Sequence, residues 1–292
     1  MKLYHAAAAL LAVSASAVTI AAPPSFAVRV VGHGAPMILI PGLACGGDVW
    51  NSTVDHYKDH FTCYVLTLPG FAGQPPIEAP VLPQVRDQIV AYIHDHHLKK
   101  PVIVGHSLGA TLALWVAATS PDSVGKVVAV DGAPWLPALQ FPNASLEIAT
   151  KQADALRKTM ASEGHERFVA GMRQSLQSMI TSPNDVDWML QSCESSDPKT
   201  VGEAMYELYS TDLRPEMKKI RAPVLMLAEG AYFTTPAIRE AATKSYEAQI
   251  HDIPQHTLKM SKAARHFIML DDPSFFFAEI DAFLSASRGT AR

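Results

Sequence analysis

The sequence predicts an α/β fold, a mostly parallel sheet flanked by helices and interrupted by one long helical insertion. Three observations predict it. Short apolar runs rich in Val, Ile and Leu alternate with longer runs of helical periodicity, as in a sheet covered on both faces. That alternation stops between residues 133 and 213, where only helical patterns remain. One strand-like run, Val102 to Val104, ends in Gly105-His106-Ser107-Leu108-Gly109 and passes at once into a helical run from Ala110 to Ala118. Strand, sharp turn and helix therefore meet at a serine.

The elements follow in order. Phe26 to Val31 reads as an early strand. Met37 to Ile40 is a second, stopped by Pro41-Gly42, and Trp50 to His60 is helical. Cys63 to Leu68 is a strand stopped by Pro69-Gly70. The Pro-rich stretch from Pro75 to Pro83 is loop. Gln84 to His97 is an amphipathic helix with Val85, Ile89, Val90 and Ile93 on one face. Lys126 to Val130 is a strand stopped by Asp131-Gly132. In the insertion, Phe168, Met172, Leu176 and Met179 form one apolar helical face, and Val201, Met205 and Leu208 form another. The alternation resumes with a strand from Pro223 to Ala228, a helix from Pro236 to Ala248, a strand from His256 to Met260 and a closing helix from Phe275 to Ser287.

The chain has 292 residues and is 48% hydrophobic, enough for a sizeable core. A formal net charge of −4, without a basic cluster, argues against a nucleic-acid partner. At the N-terminus, Lys2 precedes a charge-free apolar run from Ala6 to Ile20, and small residues at Ala15, Ala17, Thr19 and Ala21 lead to Pro23-Pro24. Residues 1–22 read as an export signal, which implies a periplasmic or secreted protein with no membrane span once it is removed. The organisation expected is thus a signal over 1–22, a core over 23–132 and 214–292, and a helical cap over 133–213. Three cysteines, Cys45, Cys63 and Cys193, are an odd set for an exported chain. A bridge between Cys45 and Cys63 is disfavoured, because they fall at opposite ends of neighbouring strands. Small buried hydrophobes is the plainer reading.

A serine hydroxyl is a poor nucleophile at neutral pH and needs a base, and the base needs an orienting group. Ser107 at the turn sits where the helix dipole favours developing negative charge. His266 follows the last strand and precedes the closing helix, the place for a late base. A tetrahedral oxyanion needs two preorganised backbone amides. Leu108, just after the serine, offers one, and Leu43, in the Gly-rich loop Pro41-Gly42-Leu43-Ala44-Cys45-Gly46-Gly47, offers the other. Clusters at His94, His96 and His97, or at His56 and His60, lack third and fourth ligands, so no metal is expected. Met160, Met172, Met179, Met189 and Met205 all fall in the insertion, either as core filling or as an adaptable apolar pocket wall.

Leu39-Ile40-Pro41-Gly42-Leu43, Gly105-His106-Ser107-Leu108-Gly109 and Arg265-His266-Phe267, in that order, resemble the α/β-hydrolase superfamily. The resemblance spans the chain after residue 22. It implies an eight-stranded sheet, a helical cap, no cofactor and hydrolysis through an acyl-enzyme. Many members carry the triad acid after the seventh strand, but the corresponding segment here, Leu227-Ala228-Glu229-Gly230-Ala231-Tyr232, has no Asp in that slot. Two carboxylates offer themselves instead, Asp131 at the end of the strand Lys126 to Val130, the sixth in the eight-strand count that the resemblance implies, as in some members, and Glu229 at the end of the seventh in that count. A site without an effective acid is the third possibility. The function expected is a serine hydrolase, a carboxylesterase acting on a small-molecule ester with an apolar portion. A hydrolase-fold binding or sensing protein with weak turnover, and a C–C or amide hydrolase, are the alternatives.

Overall fold

Seven runs form strands: β1 (Ala27–Gly32), β2 (Ala35–Ile40), β3 (Phe61–Thr67), β4 (Val102–His106), β5 (Lys126–Val130), β6 (Val224–Ala228) and β7 (His256–Met260). This computed structural model describes residues 23–286 apart from residue 142. The proposed export signal lies outside the described residues. The strands make one sheet in the order β1-β3-β2-β4-β5-β6-β7. β1 runs antiparallel to β3 and every other pair is parallel. β4 and β6 are buried along their whole length, whereas the edge strands β1 and β7 are partly exposed. This contrast is why the central strands read as continuous apolar runs and β7, His-Thr-Leu-Lys-Met, as an alternating one.

The sheet has seven strands among the described residues, where the resemblance implied eight. Among the described residues β1, the antiparallel strand, is itself the edge of the sheet and pairs only with β3.

Between β5 and β6 the chain is helical: α4 (Pro137–Gln140), α5 (Leu146–Ser162), α6 (His165–Met179), α7 (Pro183–Cys193) and α8 (Pro198–Ser210). The remaining helices, α1 (Asn51–Tyr57), α2 (Val81–Asp95), α3 (Leu108–Thr119), α9 (Pro236–Ile250), α10 (Ile268–Asp271) and α11 (Pro273–Ser285), belong to the sheet-based part. Several helix starts follow one local rule. Ser182, Asp197, Thr235 and Asp272 each accept a hydrogen bond from the third amide beyond, and each precedes a proline at the first helical position. The side chain satisfies an orphan donor, and proline has no amide there to lose.

α2 departs from this rule and from the sequence reading, which left residues 75–83 as loop. Its start carries no local cap. Glu207 of α8 supplies one from across the fold, accepting from the amides of Val81 at 2.7 Å and Leu82 at 2.6 Å. The carboxylate is drawn to the positive end of the helix and is itself buried. Helix α8 of the insertion is thereby tied to the sheet-based part. Glu207→Ala leaves two buried donors unpaired and is expected to lower the unfolding free energy by about 1–3 kcal/mol per lost partner set, read from urea denaturation. A loss under about 0.5 kcal/mol would show that water replaces the carboxylate freely.

Candidate active site

The chain leaves β2 toward one side of the sheet to form β3, and leaves β4 toward the other side to form β5. Ligands in open parallel sheets bind outside the carboxyl ends of strands at such a reversal. The loop after β2 holds Leu43, and the turn after β4 holds Ser107, so both expected residues fall at this crevice.

Ser107 has φ 55° and ψ −119°, a conformation that L-residues rarely adopt and that stores about 1–3 kcal/mol. Close packing holds it there. A Cβ on Gly105 would lie 2.0 Å from the carbonyl oxygen of Gly109, and a Cβ on Gly109 would lie 2.3 Å from that of Ile40. Only glycine lets β4, α3 and the end of β2 approach this far. The Ser107 amide donates to the Val130 carbonyl at 2.8 Å, and the Ser107 carbonyl accepts from Ala110 at 2.9 Å. The hydroxyl is left at the wall of a cavity, at the start of α3.

His266 sits on the loop between β7 and α10 and lines the same cavity. Its Nδ1 donates to Asp131 Oδ2 at 2.6 Å. Among the described residues no hydrogen bond joins its ring to Ser107, and such contacts commonly tighten only when substrate arrives. Three further contacts fix the loop. The His266 carbonyl accepts from His106 Nε2 at 3.1 Å, and Asp271 accepts from the amides of Arg265 and of Thr181 in the insertion, each at 2.9 Å.

Asp131, the residue after β5, is buried and has φ 46°. Its backbone amide donates to Leu227 at 2.7 Å. Its Oδ1 accepts from the Glu229 amide at 2.9 Å and the Tyr246 hydroxyl at 2.8 Å. With His266 on Oδ2, three donors from three elements meet one buried carboxylate, which is how such a charge is tolerated. Burial works against a charged His266, but the hydrogen bond and charge of Asp131, helped by Glu229, outweigh it and raise its pKa. Tyr246 is pushed well above the ordinary phenol value by burial and by the two nearby carboxylates.

Glu229 is brought close but not into contact. One of its carboxylate oxygens lies within 4.8 Å of ligand atoms of both Asp131 and His266. Its backbone, not its carboxylate, makes the hydrogen bond to Asp131. Burial and the Asp131 charge lift its pKa to about 7, with His266 pulling the other way. These three residues are also the one group of His, Cys and acidic side chains among those described that clusters as a metal shell would. Asp131 has both oxygens already taken by protein donors. Three of the five other histidines weighed as ligands make contacts elsewhere: His56 with Asp281, His94 with Ser123, and His96 stacked on Tyr92.

Leu43 lines the cavity. Leu108 is fully buried and opens α3, where an amide has no acceptor within its own helix. His106 and Tyr246 were not picked out by sequence reasoning. His106 is buried, burial holds its pKa well below 6.5, and its Nδ1 has no hydrogen-bond partner. The Gly-x-Ser-x-Gly pattern leaves its variable position silent about this role. Tyr246 comes from α9, far along the chain, and only packing brings it to Asp131.

The cavity measures about 980 Å³. One part of its wall holds Ser107, His266, Asp131 and Glu229. The insertion contributes Met160, Phe168, Met172, Leu176, Met179 and Met205 to its walls, whereas Met189 is buried elsewhere in the core. No Lys or Arg lines it among the described residues.

A parallel α/β sheet with a strained serine at the end of its central strand defines a class of hydrolase-type folds. The profile of the alpha/beta hydrolase family matches residues 37–280, and the chain belongs to that family. It is similar to pimeloyl-[acyl-carrier protein] methyl ester esterase of Vibrio cholerae, 29% identical over 205 residues, which cover 68% of this chain and 76% of that one. The enzyme of the same name from Vibrio atlanticus is 26% identical over 202 residues, covering 68% and 77%. Among solved structures, MenH from S. aureus superposes with a TM-score of 0.74 at 17% identity, covering 90% of this chain and 99% of that one. A thermophilic esterase from Thermogutta terrifontis gives 0.72 at 19%, covering 89% and 92%. At these identities the structures show a shared fold.

The Asp131 carboxylate should be visible in the titration of His266. In wild-type protein the imidazole is expected to hold its proton above the ordinary histidine pKa, and in Asp131→Asn to release it at lower pH, as followed by ¹⁵N NMR. Equal titration in both would place the dominant charge elsewhere.

Proposed function

We propose that this protein is a serine hydrolase that cleaves carboxylic esters through an acyl-enzyme. The observation that carries the reading is the 2.6 Å contact between His266 Nδ1 and Asp131, in a cavity shared with Ser107. A proton held on Nδ1 by the carboxylate leaves Nε2 as the free base. Ser107 attacks the ester carbonyl while His266 takes its proton. The amides of Leu43 and Leu108 hold the oxyanion. His266 then returns the proton to the departing alcohol, and a water activated by the same nitrogen releases the acid.

Esterases among the relatives support the reaction class. The apolar, methionine-rich wall supports an ester with an apolar portion, and the helices between β5 and β6 are read as a cap over it. The Asp131 contact weighs against a purely binding protein, whose support was the missing Asp after β6. Export rests on residues 1–22 of the sequence.

Wild-type protein is expected to give a stoichiometric burst with a p-nitrophenyl ester and to be labelled covalently at Ser107 by a fluorophosphonate. Ser107→Ala should lose the label and at least about 10⁴-fold in kcat. Folded wild-type protein that shows neither burst nor label is not a serine hydrolase.

The cavity also sets an expectation for chain length. Along a series of p-nitrophenyl esters from acetyl upward, kcat/KM should rise by up to about fourfold per methylene while the chain finds apolar wall, at about 0.8 kcal/mol for each CH₂. Met172→Trp, which fills part of the cavity, should move the preferred acyl chain to a shorter one. A preference for acetyl in wild type, unmoved by the variant, would contradict an apolar acyl site.

A further inference from the structure

Two of the three cysteines, 148 residues apart in sequence, meet in the folded protein. Cys45 Sγ lies 3.8 Å from Cys193 Sγ, and both side chains are buried. Cys45 belongs to the loop after β2, lines the cavity, and has its thiol 3.5 Å from the carbonyl oxygen of Leu43. Cys193 is the last residue of α7 in the insertion. Cys63 is separate: it lies in β3, and its thiol approaches the Phe61 carbonyl instead. The odd count thus divides into one adjacent pair and one solitary thiol.

We propose that Cys45 and Cys193 form a disulfide that braces the helical insertion against the loop carrying Leu43. The sulfurs must approach by about 1.8 Å to reach bonding distance, a movement on the scale of side-chain rotation. Neighbouring contacts already hold the two segments in register. Ser192 donates to Asp48 at 2.7 Å and accepts from the Gly46 amide at 3.1 Å, and Ser196 donates to the Ala44 carbonyl at 2.9 Å. The residues on either side of Cys45 and Cys193 are therefore cross-linked by hydrogen bonds whether or not the bond forms.

The reaction is thiol–disulfide exchange with a small disulfide such as oxidised glutathione. One cysteine thiolate attacks the reagent and expels one thiol. The second cysteine then attacks the mixed disulfide and expels the other. Two cysteine thiols lose two protons and two electrons, and one reagent disulfide is reduced to two thiols. The hydrogen bond to Cys193, then burial and the nearby Asp48, hold the Cys45 thiol well above its ordinary pKa. Exchange in the closed protein is accordingly slow, and the bond forms most readily as the insertion docks.

The test uses the full chain with oxidised glutathione in excess at pH 8.5, both in the native state and during dialysis out of urea. After denaturation, free thiols are alkylated and the chain is weighed. In at least one of the two preparations, the count should fall from three thiols to one, with a mass loss of about 2 Da and a peptide linking residues 45 and 193. The oxidised form should also melt higher than the reduced form by about 5 °C or more, since the bond closes a long loop. Cys193→Ala should leave both remaining thiols unlinked under the same treatment. Three free thiols in both preparations, a link that involves Cys63, or a linked form with no rise in melting temperature would overturn the proposal.

Discussion

The buried carboxylate of Asp131 is the constraint on which the site depends. A charge at that depth is tolerated only while donors surround it, and its donors come from three places: the backbone after β6, the hydroxyl of Tyr246 on α9 and the imidazole of His266 after β7. Each of those elements is positioned by the sheet. Meeting the carboxylate's requirement therefore fixes the His266 ring, and the ring's orientation decides which nitrogen faces the cavity. Stability and the proposed chemistry rest on the same hydrogen bonds.

The insertion is joined to this centre at several points, on α7, on α8 and in the loops that precede them. Glu207 of α8 caps α2, Asp271 beside the histidine loop accepts from Thr181, and Ser192 and Ser196 bond the loop after β2. In the proposed mechanism the apolar walls come from the insertion and the reacting groups from the sheet. A shift of the insertion would thus alter the loop carrying Leu43 and the loop carrying His266 together. The adjoining thiols of Cys45 and Cys193 fall on that same seam.

Much of the fold was legible because its signals are local. Burial on both faces makes β4 and β6 continuous runs of mostly apolar residues, and Pro236 after Thr235 marks the start of α9. The turn at Ser107 was legible because Gly105 and Gly109 are demanded by backbone contact. Asp131 and Glu229 were both legible as acids, since each ends a strand beside the crevice, but sequence could not say which carboxylate reaches the imidazole. That depends on a side chain against a backbone: Glu229 offers its amide to Asp131, and Asp131 offers its carboxylate to His266. Tyr246, the Glu207 cap and the meeting of Cys45 with Cys193 were not legible, because each joins distant segments through packing alone. The eighth strand was expected from resemblance, and among the described residues the sheet ends at β1.

Turnover of Asp131→Asn with a p-nitrophenyl ester tests the central claim most directly. Asparagine preserves the shape but accepts and donates differently, so the imidazole is no longer held as the Nδ1–H tautomer. The account predicts a folded protein whose kcat falls by about 10⁴-fold. A variant within tenfold of wild type would contradict it and move the orienting role to Glu229.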